Sequence, residues 1–284
     1  MEKCLITKLN GSIQNDSLLR IGEFSVKVSK VESPTADSQR FVVNNSKDAQ
    51  LRIIGDGYFT NETLSENKGK VLNITANTET TVYLSNGDYE IVVSEKYSLT
   101  QVGTYITTSW KKYKGKLSFD IDSLKYSPNI SFLALADTQV TGDIAVLGKL
   151  TGLIHLPSIY NTKVTGDIAV YKNCDFKELR VIGTSVYGDL SVLPNNVLWV
   201  QAHRTTGMFT WTGIKNRTNI LAVQSCKCDK IDAFLNDMAT LEAKFVDEQI
   251  WYKAISLIGT RTSASDAAVQ TLQSKGYTVS ITPA

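Results

Sequence analysis

A seven-residue motif that recurs in the second half of the chain gives the clearest pattern of apolar and polar positions. It has the form T-x-V-x-G-D-[I/L] and starts at Thr138, Thr162 and Thr184, at spacings of 24 and then 22 residues. Five residues before each Thr begins an apolar-x-apolar triplet. The triplets are Leu133–Leu135, Pro157–Ile159 and Leu179–Val181. The alternation predicts short strands with one buried face, and the period predicts stacked units that each cover the next unit's apolar edge.

Weaker copies extend this register in both directions. Upstream, Phe119–Leu124 aligns with Gly142–Leu147. Downstream, further triplets occur at Leu198–Val200, Leu221–Val223 and Ile255–Leu257. Together they predict about six turns, which is enough for stacked repeats to bury a shared core.

The string Leu147-Gly148-Lys149-Leu150-Thr151-Gly152-Leu153, followed by a strand and the motif, resembles a bacterial leucine-rich repeat. The resemblance covers roughly residues 115–260. It implies a solenoid with a parallel sheet that generally binds partners on its sheet face. The recurring Gly would permit the turn at the back of each coil. Thr138, Thr162 and Thr184 would form a structural ladder at the strand ends that satisfies backbone groups.

The segment after the repeats is expected to cover the last apolar edge. A helical face is predicted from Ile231, Phe234, Leu235, Met238 and Leu241. Residues 263–266 predict an N-cap, 267–275 a short helix ending at a glycine, and 277–281 a final strand. Residues 259–269 resemble the terminal cap of such repeats from gut Bacteroidetes and their phages. A phosphate site at this helix start is disfavoured, because no P-loop glycines precede it.

No repeat is visible before about residue 113, where short alternating runs predict strands instead. The runs lie at 24–28, 51–53, 72–74 and 81–93. Asn86-Gly87 predicts a hairpin within the last run, and Gly55 to Gly57 and Asn44-Asn45 predict further turns. We therefore expect an α/β chain with two parts: a β-sandwich-like domain over 1–112, and leucine-rich repeats with a helix-strand cap over 113–284.

Composition narrows the functional class. The 284 residues include 30 basic and 28 acidic side chains, a formal charge of +2. This near-neutral balance argues against a nucleic-acid partner. Apolar residues make up 42% and charged residues 20%, which excludes general disorder. The sequence contains neither a long apolar stretch nor a signal peptide at its start, so we expect a soluble chain, no membrane insertion and reduced cysteines.

The candidate chemistry is sparse, and the repeat register accounts for most of it. Cys226 falls at the Thr position and Cys228 at the inward Val position, while Cys174 falls at a repeat leucine, so all three are expected to be buried apolar residues. His203 is expected at the Thr position of its repeat, and His155 in a connection. The carboxylates of the motif recur at one position, as structural turn residues do. We expect no catalytic residues, no metal site and no cofactor.

The candidate binding residues lie on the outward face of the predicted sheet. The middle residue of each triplet, and the one after it, should face out. These are Ala134, Ala136, Ser158, Tyr160, Arg180, Ile182, Trp199, Gln201, Ala222 and Gln224. Tyr160, Arg180 and Trp199 would suit a protein partner or a sugar ring, with Gln201 and Gln224 beside them. The alternative is that these side chains merely cover the sheet.

The opening residues 1–13 and 18–23 resemble the start of virion proteins of crAss-like and other Bacteroides phages. The resemblance implies a head or tail fibre component located in the virion, with other virion proteins or a second copy as partners and a host protein or glycan as a further contact. A second hypothesis is an intracellular, cytoplasmic bacterial leucine-rich-repeat interaction protein. A third, a polysaccharide enzyme, is disfavoured because paired carboxylates at independent positions are missing.

Overall fold

The structure, a computed structural model, describes residues 23–28, 40–55, 58–59, 66–67, 71–84, 89–103, 117–153, 157–245 and 253–284. It is a mixed α/β chain in which antiparallel sheets are followed by parallel sheets with few helices. None of the helices in these ranges is long and apolar enough to cross a membrane.

Twenty strands and two α-helices make up the described elements. The strands are β1 (Phe24–Val28), β2 (Arg40–Asn45), β3 (Ala49–Gly55), β4 (Tyr58–Phe59), β5 (Glu66–Asn67), β6 (Val71–Ile74), β7 (Thr80–Leu84), β8 (Tyr89–Val93), β9 (Leu99–Gly103), β10 (Leu117–Ser118), β11 (Phe132–Ala134), β12 (Thr141–Asp143), β13 (Lys163–Asp167), β14 (Glu178–Arg180), β15 (Ser185–Asp189), β16 (Trp199–Gln201), β17 (Phe209–Thr210), β18 (Ala222–Lys227), β19 (Ala254–Ile258) and β20 (Thr278–Thr282). The helices are α1 (Ile231–Thr240) and α2 (Asp266–Ser274). Short 3₁₀ turns lie at Lys96–Ser98, Ile121–Tyr126, Ile144–Lys149, Ile168–Tyr171, Leu190–Val192 and Ser263–Ser265.

Two largely antiparallel sheets form the N-terminal part. The first has the order β10-β1-β8-β3-β6 and the second the order β11-β9-β2-β7-β4-β5. In β1, Phe24 and Val26 are buried while Lys27 is exposed, as the sequence alternation predicts. Val26 in the first sheet and Phe41 in the second belong to the same hydrophobic core. The two sheets therefore bury their apolar residues together.

The hairpin predicted at Asn86-Gly87 is wrong. The strands on either side lie in different sheets, because β7 pairs with β2 and β4 while β8 pairs with β1 and β3. Residues 85–88 themselves lie outside the described residues. Val82 and Ile91 are both fully buried in the common core, so a crossing between sheets satisfies the same alternation as a hairpin would. The turn predicted at Asn44-Asn45 is also wrong, since both residues belong to β2.

Two parallel sheets form the C-terminal part, and the chain alternates between them. The third sheet has the order β12-β13-β15-β17 and the fourth the order β14-β16-β18-β19-β20. Strand partners are close in sequence, as in the pairs Thr165 with Ser185 and Leu179 with Val200. Inward apolar residues such as Val164 and Val186 are fully buried. The predicted period thus corresponds to one strand in each parallel sheet per repeat.

Both N-terminal sheets continue directly into the parallel sheets. On one side, β10 pairs with β1, and the next residue, Phe119, accepts a hydrogen bond at its carbonyl from the N–H of Thr141 at 3.0 Å. On the other side, β11 pairs in parallel with β9, and Leu135 N–H donates to Ser158 O at 2.7 Å. Asn161 N–H then donates to Ile182 O at 2.7 Å, which reaches the fourth sheet. Two columns of backbone hydrogen bonds therefore cross the boundary expected near residue 112.

Steric contact between neighbouring repeats explains why Gly and Asp recur together in the motif. Oδ1 of Asp143 accepts a hydrogen bond from the N–H of Ala145 at 2.8 Å and caps the following 3₁₀ turn; Asp120, Asp167 and Asp189 do the same in their repeats. Gly166 in the next repeat has a φ of +125°, and a Cβ there would lie 2.3 Å from Oδ1 of Asp143. Only glycine fits both the backbone angle and the space. The motif therefore places each cap against the next repeat's glycine.

The helical segments lie at the far end of the fourth sheet. The predicted apolar face of α1 is confirmed, since Ile231, Phe234, Leu235, Met238 and Leu241 are all buried. Helix α2 ends before Gly276, which has a φ of +88°, and β20 follows as predicted. The N-cap differs in detail. Ser265, within the predicted segment, takes the N-cap position of α2, but its hydroxyl donates to Asp232 and does not cap the helix. The side chain of Thr262 caps the preceding 3₁₀ turn.

Candidate functional site

Three of the predicted binding residues form one row across the fourth sheet. Arg180 in β14 pairs with Gln201 in β16, which pairs with Gln224 in β18. All three side chains are half-buried, and Nε2 of Gln201 donates to Oε1 of Gln224 at 3.3 Å. Arg180 lies 2.5 Å from Oε1 of Glu178 on its own strand. The row therefore presents amide groups beside a locally neutralised guanidinium.

Trp199 is not part of this row, and its predicted exposure is wrong. Its side chain is only 3% exposed, and its partners are Glu178 and Ala222 rather than Arg180. The strand pairing is shifted by two residues from the sequence register, since Arg180 pairs with Gln201 and not with Trp199. The shift falls in the run from Val197 to Val200, which is apolar and buried throughout. A shift of two residues keeps the same face of a strand, so Trp199 lies on the face of Gln201 but is buried there. The unbroken apolar run conceals this register. Gln201, not Trp199, is the true counterpart of Arg180.

Tyr160 lies in the turn that follows the bridge residue Ser158, in the repeat before this row. It is half-buried, and the N–H of the next residue, Asn161, donates to Ile182 O at 2.7 Å, so the tyrosine lies beside β14. The alanines expected on the outward face are buried instead. These are Ala134, Ala136 and Ala222. At Ala134 the cause is a close approach of β9, where a Cβ on Gly103 would lie 2.6 Å from the alanine's carbonyl oxygen.

A polar ridge that the sequence did not predict borders the row at the strand ends. Asp137, Asn161, Gly183 and Arg204 all have a positive φ, at successive repeats. Nδ2 of Asn161 donates to Oδ1 of Asp137 at 2.6 Å, and a guanidinium nitrogen of Arg204 donates to Oδ1 of Asn161 at 3.0 Å. A Cβ on Gly183 would lie 2.5 Å from that same oxygen, so glycine keeps the space open between them. The signal was present in the sequence as the residue before each ladder Thr.

The ladder threonines are buried directly behind this ridge. Thr138, Thr162 and Thr184 each donate their hydroxyl to the carbonyl three residues earlier, at 2.6, 2.6 and 2.7 Å. Thr205 takes the next ladder position and donates to Val181 O at 2.6 Å. His203, which was expected there, is half-buried two residues earlier. Its pKa is lowered by burial and by the neighbouring Arg204.

The three cysteines in the described part of the chain have no sign of reactive chemistry. Cys226 and Cys228 are buried, as expected, and Cys174 is half-buried. Burial raises the pKa of Cys174 to about 11 and also raises the pKa of the other two thiols. A thiol with a raised pKa carries little of the nucleophilic thiolate at neutral pH. Within the described ranges, no group of three His, Cys, Asp or Glu residues could hold a metal ion.

The motif carboxylates accept hydrogen bonds from backbone N–H groups. Asp143 and Asp167 border a shallow groove of about 450 Å³ on the third sheet, together with Lys172 and Tyr187. One oxygen of each carboxylate accepts the capping hydrogen bond at 2.8 Å. Their shared orientation follows from the repeat and not from a reaction geometry.

A buried cation is a further feature that the sequence did not reveal. Arg217 is 5% exposed and donates to four backbone carbonyls, those of Leu193, Pro194, Val197 and Asn219, at 2.9 to 3.4 Å. Burial lowers its pKa to about 10. Carbonyl dipoles compensate the charge here, so this arginine links neighbouring repeats.

The row and the ridge together form a mixed donor and acceptor surface. Amide side chains can donate and accept at once. The charged groups are engaged within the chain, Arg180 by Glu178, and Asp137 and Arg204 by the amide of Asn161. Such a surface fits hydrogen bonding to peptide groups or sugar hydroxyls better than it fits a multiply charged ligand.

A scan against protein-family models finds no matching family, and a search of curated proteins finds no similar sequence.

Proposed function

We propose that this chain is a non-catalytic structural and binding protein, in which a leucine-rich-repeat solenoid extends an N-terminal β module. The observation that carries the proposal is the continuity of both sheets through β10 and β11 into the repeats. A module joined through two hydrogen-bonded sheets holds the repeat face in a set orientation. This suits a protein whose task is to present a surface.

The polar residues support a binding role over a catalytic one. In the repeats, aspartates cap turns, threonines bind carbonyls and cysteines are protonated, so the recurrent chemistry is used inside the fold. What remains outward is the row of Arg180, Gln201 and Gln224 with the adjoining ridge. We assign the partner contacts to this surface.

We place the protein in a phage virion, as a head or tail fibre component that contacts other virion proteins or a second copy of itself, with a host protein or glycan as a further partner. This location rests on the resemblance of residues 1–23 and 259–269 to virion proteins and repeat caps. The alternative is an intracellular bacterial interaction module, which would use the same surface.

The solenoid is tested by deleting one whole repeat. Removal of residues 163–184 joins Thr162 to Ser185 and keeps the motif in register. Each repeat contacts mainly its neighbours, so the shortened chain should still unfold cooperatively. Removal of only 163–173 should abolish folding, because it leaves half a repeat. If both deletions unfold the chain equally, the repeats are not independent units and the solenoid is wrong.

The location and the surface are tested together on purified phage particles. Quantitative mass spectrometry should find a fixed copy number per particle. The double variant Gln201→Ala/Gln224→Ala should reduce incorporation or partner binding at least tenfold, while the matched pair Lys163→Ala/Thr165→Ala on the third sheet should not. A chain absent from particles would contradict the virion location, and equal effects of both pairs would contradict the assigned surface.

A further inference from the structure

The fourth sheet ends in a strand whose apolar residues are incompletely covered. Ile255 and Leu257 in β19 are fully buried, whereas their partners Val279 and Ile281 in β20 are only partly buried. Val269 of α2 is likewise partly buried and packs against the same core. The hydrophobic core therefore reaches the end of the sheet without being closed there.

The outer edge of β20 presents backbone groups ready for pairing. Gly259 N–H donates to Thr282 O at 2.9 Å, so the groups of Thr282, Ser280 and Thr278 face β19. By the alternation of a strand, the N–H and C=O groups of Val279 and Ile281 face the other way. None of the strands in the described ranges pairs with that side.

This edge lacks the usual protection against strand addition. Exposed edges are commonly shortened or charged, as in β5, which has two residues and contains Glu66. In contrast, β20 has five residues, Thr-Val-Ser-Ile-Thr, without a charge or a proline. The nearby charges are already engaged, since Arg261 pairs with Asp266 at 2.6 Å and Lys275 donates to two carbonyls at the end of α1. No charge on this edge would repel an identical edge.

We propose that β20 pairs antiparallel with β20 of a second copy, about a two-fold axis at Ser280. The strand is self-complementary in this register. Val279 faces Ile281 of the second copy and Thr278 faces its Thr282, which are favourable cross-strand pairs. The edge groups of Val279 and Ile281 then form four hydrogen bonds, and the two Ser280 residues meet as a non-hydrogen-bonded pair. The dimer contact is isologous and joins the two fourth sheets into one.

This inference specifies the self-association part of the proposed function. It is tested on the full chain without phage particles, so its outcome is separate from the location test and from the sheet-face variants. Because five residues a side make a small interface, we expect a reversible dimer that forms as concentration rises, measured by light scattering.

Single cysteines locate the axis. In a background with Cys4→Ser and Cys174→Ser, Ser280→Cys should form a covalent dimer on mild oxidation, because opposed Cβ atoms lie about 4.5–5.5 Å apart in such pairs. Thr278→Cys alone should not, but a mixture of Thr278→Cys and Thr282→Cys should form a mixed dimer. Ser280→Lys should abolish dimerisation, and Thr165→Lys, an exposed control on the third sheet, should leave it unchanged.

The outcomes decide the proposal clearly. A chain that stays monomeric at high concentration, with no cross-linking of Ser280→Cys above background, overturns it. Cross-linking of Thr278→Cys alone as efficiently as Ser280→Cys overturns the register and the axis. A monomer that instead binds an extended peptide of another protein at β20 overturns the second copy as the occupant.

Discussion

The N-terminal part and the repeats stabilise similar β-structure through contacts of different range. In the first sheet, Phe24 pairs with Val93, near the opposite end of the N-terminal part. In the repeats, Thr165 pairs with Ser185 of the following unit, and each unit carries its own cap and its own buried Thr. The N-terminal part thus depends on distant residues meeting, whereas a repeat satisfies most of its polar groups locally. We therefore expect a destabilising substitution to affect many strands in the N-terminal part, but mainly the neighbouring units in the repeats.

The largest expected effects come from matched core truncations in the two parts. Leu51→Ala in β3 and Leu179→Ala in β14 remove similar buried side chains and should each cost about 2–5 kcal/mol of unfolding free energy. Amide hydrogen exchange should distinguish the two variants. Leu51→Ala should raise exchange across both antiparallel sheets, and Leu179→Ala mainly in the neighbouring repeats. If Leu179→Ala raises exchange in β1 as much as in β14, the two parts do not differ in this way.

A glycine of the motif tests the local character of a repeat. Gly166→Ala should cost about 2–3 kcal/mol, because it combines a strained φ with a clash against Oδ1 of Asp143. Gly148→Ala is the control, since Gly148 has no positive φ and its nearest obstacle is a single methyl group of Val170 at 3.1 Å. Thermal unfolding measures both. Asp143→Ala added to Gly166→Ala should relieve the clash with Oδ1, but neither the strained φ nor the close approach to Cγ1 of Ile144 at 2.8 Å. The double variant should therefore lose less stability than the sum of the two single variants, and a loss equal to that sum would contradict this.

The end of the repeats provides a smaller, pH-dependent effect. Asp232 accepts hydrogen bonds from the hydroxyls of Ser265 and Thr262 and from the Thr262 N–H, and these lower its pKa below the ordinary 3.8. Asp232→Asn should cost about 1 kcal/mol at neutral pH, since solvent screens this surface group. A carboxyl group whose pKa is lowered by folding stabilises the fold at pH values above its ordinary pKa. This stabilisation is lost as the pH falls through the pKa of the folded state. The difference between the variant and the native chain should therefore shrink below about pH 4. Denaturant unfolding at neutral pH and below about pH 4 measures the difference in unfolding free energy between the two chains. A difference that stays constant would exclude the carboxylate as the cause.

The smallest effect has the opposite sign. The Tyr171 hydroxyl is buried without a hydrogen-bond partner among the described residues, and burial raises its pKa. Tyr171→Phe removes an unsatisfied polar group and keeps the ring contact with Phe176, whose centroid lies 5.5 Å away. We expect stabilisation of less than about 1 kcal/mol. Loss of stability in calorimetry would show that the hydroxyl has a partner.

The repeats could be predicted well from sequence because their structural signals are local. Thr138, Gly142 and Asp143 lie within one motif, and each has the same role at every repeat. The predicted N-terminal runs overlap β1, β3, β6, β7 and β8, whereas β2 and β9 were not predicted. The strand partners were not found either, since Val82 and Ile91 bury equally well in a hairpin or in two sheets. The row on the fourth sheet was predicted only in part. Arg180, Gln201 and Gln224 form a row, yet Trp199 was misplaced within an apolar run. The contact of Arg204 with Asn161 depends on the missing side chain of Gly183 in the repeat between them, which no single motif reveals.

The two hydrogen-bonded columns that pass from the β module into the repeats also have a mechanical consequence. The two columns lie on opposite sides of the shared hydrophobic core. Bending such a body must stretch the hydrogen bonds of one column and compress those of the other, whereas a single sheet would flex about its own plane. Stiffness against bending is thus built into the path of the backbone, where β10 and β11 carry the two columns from the N-terminal sheets into the repeats.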